Sequence, residues 1–184
     1  MQGERPSHHI ERMTAPLSEA LWSPDFVMQA IEILPVMLYH GRIRSLRPEH
    51  AESFVVGWPA GARPEEIAAQ ALIQLGMEPL VLHSTSWRHA DREVVLTYIA
   101  VVVPDTAAPE SWQTTEVVHS ELARGGATAP PSSIGVDQVQ EHGLRHLAWL
   151  RQDDPVIADL LDDWSSVLSD YIPEPFRALG SQDS

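Results

Sequence analysis

The chain has 184 residues, which is enough for one domain with a sizeable hydrophobic core. It carries 12 Lys and Arg against 26 Asp and Glu, and the net charge of −14 argues against nucleic acid or an anionic membrane as a partner. It contains no Cys, which excludes disulfides, thiolate metal sites and a Cys nucleophile. Without a membrane-spanning apolar run or a signal peptide, a cytoplasmic location is expected.

The first part of the chain is predicted to be a leader that precedes a single domain. Residues 1–20 are polar and show no periodicity, so we interpret them as a flexible leader and expect one domain over 21–180. A Ser-Pro-Asp sequence has the form of a helix N-terminus and predicts a short helix over 24–31. Pro35 would end that helix, because proline lacks an N–H and disfavours helical geometry in the residue before it.

The middle of the chain predicts a β-hairpin, a strand, one helix and two further strands. The hairpin covers 35–46, where two short runs flank a His-Gly turn, and residues 53–58 form a β-branched and aromatic strand. The helix over 64–75 begins with Pro, carries an apolar stripe and is followed by Gly at its C-terminal cap. Strands follow over 80–87 and 93–103, and the second is nearly all apolar, which is typical of a central strand.

The C-terminal part of the domain, 136–180, is predicted to be helical. Its first helix carries an apolar stripe over 136–150, and a second helix with an Asp-Pro start is predicted over 154–171. Residues 125–133 are rich in Gly, Pro and Ser and predict a mobile loop. The segment 115–122 that precedes this loop is compatible with either a strand or a helix.

The order of these elements over 35–103 resembles that of the Nudix hydrolase family. The stretch PVMLYHGRIRSL is similar to the family's first strand pair, and GWPAG is similar to the Leu-Pro-Gly-Gly turn that enters the Nudix box. The stretch RPEEIAAQALIQLGM is similar to the helix of that box and ends in the family's Gly-apolar pair. The resemblance implies an α/β/α sandwich of the α+β class, with a mixed β-sheet and C-terminal helices.

The residues that the family uses for catalysis are missing from this helix. In the family, glutamates of the box helix hold Mg²⁺ or Mn²⁺ against a diphosphate and position the attacking water. Counting back from Gly76, the corresponding positions carry Ala69, Gln70, Ile73 and Gln74. The resemblance therefore implies a degenerate member that has no catalytic residues of the family type, no metal site and no cofactor.

Six side chains around the turn and the following strands are the candidate ligand-binding residues: Trp58, Glu65, Glu66, His83, Trp87 and His89. The two glutamates could offer oxygen ligands to a cation, although they also complement the positive end of the helix dipole. The tryptophans, together with Trp112, could stack on a planar ligand, and core packing or a dimer interface explains them equally well.

Two histidines of the C-terminal part have the spacing of a metal site. His142 and His146 are four residues apart, which places both on one face of a helix and is a spacing that zinc-binding helices use. A zinc site would need Glu141 and a third ligand such as His119 to converge on them. The alternative, which we favour, is that both histidines border the apolar stripe without a metal.

These features predict a protein that kept a Nudix-like fold and lost the hydrolytic site. The leading hypothesis is a module that binds a small molecule or another protein. One alternative is a hydrolase of nucleoside-diphosphate-type or other substrates that uses a non-standard site, formed by Glu65, Glu66, His83 and His89. Another alternative is a structural homodimer that pairs through exposed apolar residues of the last helix, with Trp164 among them.

Overall fold

The computed structural model describes residues 28–90, 93–104, 108–120 and 134–173. The predicted leader over 1–20 and the predicted loop over 125–133 lie outside these described residues. None of the helices in the described ranges has the length and the apolar character that crossing a membrane requires.

The described elements are three strands, one helix, three further strands and a helical C-terminal part. The strands are β1 (Met28–Tyr39), β2 (Arg42–Pro48), β3 (Phe54–Gly57), β4 (Pro79–Ala90), β5 (Glu93–Val102) and β6 (Trp112–Glu116). The helices are α1 (Pro64–Gln74), α2 (Val136–Asp153), α3 (Pro155–Leu160) and α4 (Ser165–Leu168), with a 3₁₀ turn at Asp162–Trp164.

The described strands form one mixed sheet between two helical layers. Their order is β4-β5-β1-β2-β6, and β3 pairs with β1 beside β2. The β1–β5 pair is parallel, and the other pairings among the described strands are antiparallel. Helix α1 packs on one face of the sheet, while α2, α3 and α4 pack on the other. The predicted fold class, an α/β/α arrangement with a mixed sheet and C-terminal helices, is confirmed.

Strand β1 has different neighbours along its two halves. On one side it pairs with β5 over 28–36. On the other side it pairs first with β3 over 30–33 and then with β2 over 36–39. Leu34 and Pro35 lie between these two pairings and have no partner strand there. Proline is tolerated where a ladder is interrupted, since its missing N–H then removes no strand hydrogen bond.

The predicted helix over 24–31 is wrong for residues 28–31, which belong to β1, and residues 24–27 lie outside the described part of the chain. The chain also continues as a strand through Pro35. The physical reason is burial on both faces of the sheet: Ile33 is fully buried under α1, and Val36 is fully buried under α2. Pairing and burial in the centre of a sheet outweigh a local helix-start signal.

The other strands predicted in the middle of the chain are confirmed, as is α1. The hairpin turn has positive φ at both His40 (50°) and Gly41 (71°), as a type I′ turn requires. Strand β5 lies between β4 and β1 and is buried along most of its length, as a central strand should be. The undecided segment 115–122 continues β6 as far as Glu116 and is irregular over 117–120.

The predicted apolar stripe of α2 faces the sheet and brings the helix close to β5. Val139, Gly143 and Leu147 are buried there. A Cβ atom at Gly143 would lie 2.9 Å from Cδ1 of Ile99, which is closer than real Cβ contacts. The glycine therefore permits a close approach of helix and sheet that a larger residue would prevent.

The last predicted helix, 154–171, is wrong as a continuous element, because α3, a 3₁₀ turn and α4 replace it. Its predicted start is confirmed, since Asp154 Oδ1 accepts hydrogen bonds from two N–H groups of the first turn at 2.8 and 3.4 Å. The helix breaks at Leu161, whose carbonyl accepts a hydrogen bond from Arg151 Nε at 3.3 Å. Trp164 follows the break and is 5% exposed, so the homodimer hypothesis was wrong to place it on the surface.

Candidate functional site

A cavity of about 210 Å³ lies beside the point at which β1 passes from β3 to β2. Its walls come from β1, β2, the residues before β3, β6 with the segment after it, and the first turns of α2. Side chains that line it include Leu34, Ser45, Arg47, Ser53, Thr115 and Gln140. The interrupted pairing of β1 leaves the room that these elements surround.

Two buried N–H groups at this cavity have no hydrogen-bond partner among the described residues. They are Nε of Arg47 and Nε2 of Gln140, and the Gln140 residue as a whole is 6% exposed. Leaving a buried donor unpaired costs on the order of 1–3 kcal/mol, and native proteins pair the large majority of such groups. Both residues also line the cavity, so the unpaired donors belong to side chains that form its wall.

The charge around the cavity favours a neutral ligand. The exposed residues Glu52, Glu116 and Asp137 belong to its lining. The N-terminus of α2 contributes the positive end of its dipole through Val136. Glu116 pairs with Arg42, while Glu52 and Asp137 outnumber the single cation of the lining, Arg47, so the net negative charge opposes the entry of a multiply charged anion such as a diphosphate.

Ser53 in the cavity wall is held by a buried carboxylate. Glu32 is 3% exposed and accepts hydrogen bonds from Ser53 Oγ at 2.8 Å and from Thr97 Oγ1 at 2.9 Å. Two terminal nitrogens of Arg88 donate to it at 2.6 and 2.9 Å. Burial raises the pKa of Glu32, but the hydrogen bonds from Arg88, Ser53 and Thr97 and the charge of Arg88 outweigh burial and lower that pKa. Glu32 is therefore ionised at neutral pH.

The predicted site residues at the start of α1 form hydrogen bonds and ion pairs with neighbouring residues of the same turn. Trp58 Nε1 donates to the carbonyl of Ala62 at 2.8 Å. Arg63 Nε donates to Glu65 at 2.8 Å, and Arg63 Nη1 lies 3.0 Å from a carboxylate oxygen of Glu66. Both carboxylates are partly exposed and paired, which agrees with the helix-dipole interpretation.

The remaining predicted site residues, His83, Trp87 and His89, belong to the edge strand β4. His83 lies on the face opposite α1, where it contacts His146 of α2. Trp87 is 65% exposed, and the side chain of His89 lies outside the described ones. Trp112 of β6 is partly buried, packs against the core on the α1 side of the sheet and contacts the ring of Phe54 edge-on. The structure therefore does not gather the described candidates into one cleft, and it separates His83 from the two glutamates by the thickness of the sheet.

The four candidate zinc ligands divide into two groups. Nδ1 of the buried His146 lies 3.3 Å from Nε2 of His83, and the His146 ring packs edge-on against His142 with centroids 4.5 Å apart. His119 and Glu141 form a separate contact at 3.3 Å. Within the described ranges, no three His, Asp or Glu side chains are arranged to hold a metal ion.

The buried histidine pair predicts a stability that falls in acid. Burial, followed by the charges of His142 and His83, lowers the pKa of His146 from 6.5 to about 4. Between these two values the unfolded chain binds a proton that the folded protein does not. Above about pH 6.5, His146 therefore does not lower the free energy of unfolding. As the pH falls from 6.5 to 4, this residue lowers the free energy of unfolding by about 3 kcal/mol.

Urea denaturation between pH 7.5 and 4.5 measures this dependence. A His146→Gln variant keeps a polar partner for His83 and should lose most of the decrease in stability with falling pH. The exposed His50 provides the matched control, because His50→Gln should leave the pH dependence of wild type unchanged. An equal decrease in the His146 variant and in wild type would contradict the assignment.

Comparison with known proteins identifies no close relative. No protein-family model matches the sequence, and no curated protein matches it. Solved structures that align with it include the Ap4A hydrolase of C. elegans, with 13% identity over 77% of this chain and 98% of that chain at a TM-score of 0.41. A binary complex of the C. elegans Ap4A hydrolase aligns with 11% identity over 79% and 100% of the chains at a TM-score of 0.37.

A MutT structure, from work on Aliivibrio salmonicida and Vibrio cholerae, also aligns with the chain. Its identity is 12% over 73% of this chain and 97% of that chain, at a TM-score of 0.37. These neighbours are Nudix hydrolases.

Gln140 in the cavity wall and Glu32, the buried partner of Ser53, were not predicted as site residues, although the sequence carries a signal for each. Gln140 falls on the buried side of the α2 stripe, next to Val139 and one turn before Gly143. Glu32 is a charged residue between two apolar residues of a strand, and such a residue needs partners when the strand is central. A polar side chain at a position that the pattern assigns to the core is the signal in both cases.

Proposed function

We propose that this protein is a Nudix-like module that binds a small molecule in the cavity between β2, β6 and α2 and does not hydrolyse it. The observation that carries this proposal is the pair of buried, unpaired donors on Arg47 and Gln140. Native proteins pair the large majority of such groups, and a molecule bound in the cavity would supply the missing acceptor. A cavity of about 210 Å³ can hold a single small ring, since an apolar cavity of roughly 150 Å³ accommodates benzene.

The α1 surface supports the non-hydrolytic part of the proposal. Gln70, Ile73 and Gln74 are exposed on this helix, and none of them carries a carboxylate. Amide oxygens bring no charge to offset a divalent cation against a diphosphate. Glu65 and Glu66 are in the first turn of the helix, where Arg63 pairs with both.

The hydrolase alternative receives less support from the arrangement of its residues. It requires Glu65, Glu66 and His83 to act on one substrate. His83 instead lies beside α2, across the sheet from α1. Its burial lowers its pKa, so His83 is neutral at pH 7 and contributes no positive charge toward an anionic substrate.

A binding screen with a turnover assay tests the proposed function. Neutral heterocyclic fragments are screened by ligand-observed NMR, and nucleoside diphosphate derivatives are incubated with and without Mg²⁺ or Mn²⁺. We expect fragment binding that Gln140→Leu abolishes, and no metal-dependent turnover. Gln74→Leu, on the exposed surface of α1, is the matched control and should bind fragments like wild type. Turnover that requires the metal would overturn the non-hydrolytic assignment.

The same Gln140→Leu variant should be more stable than wild type in the absence of ligand. Leucine has a similar volume and removes a buried N–H that has no acceptor. We expect the free energy of unfolding to rise by about 1–2 kcal/mol in urea denaturation, while Gln74→Leu changes it by less than about 0.5 kcal/mol. A loss of stability in Gln140→Leu would mean that the amide is already satisfied in the free protein.

A further inference from the structure

The hydrogen-bonding direction of the Ser53 hydroxyl is set by its buried partner. Glu32 is ionised and therefore has no proton to donate, so the 2.8 Å contact between the two side chains must use the single hydrogen of Ser53. Arg88 and Thr97 occupy the rest of the carboxylate as donors. The lone pairs of the Ser53 oxygen remain, and Ser53 lines the cavity. Toward a ligand, this hydroxyl is an acceptor.

Side chains from other elements of the cavity wall carry donors. Arg47 Nε and Gln140 Nε2 are N–H groups without a partner among the described residues. A complementary ligand needs an acceptor for these donors and a donor for Ser53. The carboxylates of Glu52 and Asp137 in the lining disfavour an anion as that acceptor. A neutral group that carries a carbonyl and an N–H side by side supplies both kinds of partner.

We propose that Ser53 is a specificity-determining residue and that Glu32 is the positioning residue that fixes it as an acceptor, so that the cavity selects a small neutral lactam or amide. This inference rests on the proposed function, because it assumes that the cavity binds a small molecule. Beyond the proposed function, it names the chemical class of the ligand. It also names the residue that distinguishes a ligand with an N–H group from the N-alkylated form of that ligand.

Two matched fragments test the inference: 2-pyridone, which carries a carbonyl beside an N–H, and 1-methyl-2-pyridone, which lacks the N–H. We expect wild type to bind 2-pyridone about five- to tenfold more tightly, the effect of one hydrogen bond to an otherwise unpaired group. Ser53→Ala should bring the ratio of the two dissociation constants close to one. Ser84→Ala, an exposed serine of β4, should keep the wild-type ratio.

Glu32→Gln tests the positioning role separately from the hydroxyl itself. A glutamine can accept from Ser53 or donate to it, so the hydroxyl is no longer fixed and the preference for 2-pyridone should fall about threefold or more. If this variant does not fold, as urea denaturation would reveal, Ser53→Ala still decides the specificity proposal. A merely structural role of Glu32 would weaken both fragments equally and leave their ratio unchanged.

The outcomes separate this inference from the proposed function. If Gln140→Leu abolishes fragment binding but Ser53→Ala keeps the wild-type ratio of dissociation constants, the role of Ser53 is overturned and the binding function is left intact. A wild-type preference for 1-methyl-2-pyridone would overturn the acceptor assignment. If neither pyridone binds while other neutral heterocycles bind in the screen, the lactam assignment is overturned and the binding function is left intact.

Discussion

Arg88→Ala should lower the free energy of unfolding by about 3 kcal/mol at neutral pH, the lower end of the range for breaking a buried ion pair. The variant leaves the Glu32 carboxylate, whose side chain is 4% exposed, without its charged partner. Ser53 and Thr97 still donate to it, but they bring no charge. We expect the lower end because the Arg88 side chain is itself 32% exposed and partly screened by water. Urea denaturation at pH 7.5 measures the effect.

The pH dependence of the stability difference between wild type and Arg88→Ala tests whether the unpaired charge of Glu32 causes that difference. In wild type the pKa of Glu32 is lowered, so its contribution is present above the ordinary value of 4.5 and is lost as the pH falls through the folded-state value. The Arg88 variant lacks the hydrogen bond and the charge by which Arg88 lowers the pKa of Glu32, so this pKa is higher than in wild type and protonation relieves the penalty as the pH falls. The stability difference between the two proteins should therefore shrink toward pH 4.

Two further variants test whether the loss comes from an unpaired charge. Arg42→Ala removes an exposed arginine that pairs with Glu116, and it should cost less than about 1 kcal/mol. Glu32→Leu combined with Arg88→Ala should recover most of the lost stability, because no charge is then left buried. A double variant as unstable as the sum of the two single variants would show that the residues contribute through packing instead.

Trp164→Glu should have the largest effect on stability, a loss of at least about 4 kcal/mol. Trp164 is 5% exposed and belongs to the core between the sheet and α2, with Leu144 and Leu161 among its members. The substitution removes a large aromatic side chain and places a carboxylate in an apolar environment. We expect the variant to be largely unfolded at 25 °C in near-ultraviolet circular dichroism and to unfold at much lower urea concentrations than wild type.

Val156→Glu is the matched control, since Val156 is 64% exposed in α3. It should change the free energy of unfolding by less than about 0.5 kcal/mol. This variant also tests the homodimer hypothesis at the surface, where Leu160 and Ile172 are exposed as well. That hypothesis would be supported if light scattering shows wild type to be a dimer and Val156→Glu to be a monomer that is as stable as wild type. A Trp164→Glu variant as stable as wild type would contradict the burial of this tryptophan.

Local signals predicted the elements that depend on few distant contacts. The hairpin turn at 40–41, the Pro start of α1 and the Asp cap of α3 each act within a few residues, so they can be recognised in the sequence. Strand β1 could not be recognised in this way. Its partners β3 and β5 follow it by more than 20 and 60 residues, and their pairing overrides a local helix signal.

The candidate site was predicted less well than the fold. The sequence directed attention to Glu65 and Glu66 at the start of α1, which pair with Arg63. The cavity instead combines residues of β2, β6 and α2, and no local motif joins Arg47 to Gln140 across more than 90 positions. Whether a buried donor finds an acceptor depends on all of its spatial neighbours, which a pattern of residue types does not specify.

The sequence by itself determined that the chain forms an acidic α+β domain without cysteine chemistry, and that α1 carries glutamate only at Glu65 and Glu66, in its first turn. These properties depend on composition and short-range spacing. The tertiary structure decided where the polar side chains meet. It surrounded Glu32 with three donors, left Arg47 and Gln140 unpaired at a cavity, and buried Trp164. Each of these outcomes depends on contacts between distant segments, because burial and pairing arise only when the sheet and its helices pack together.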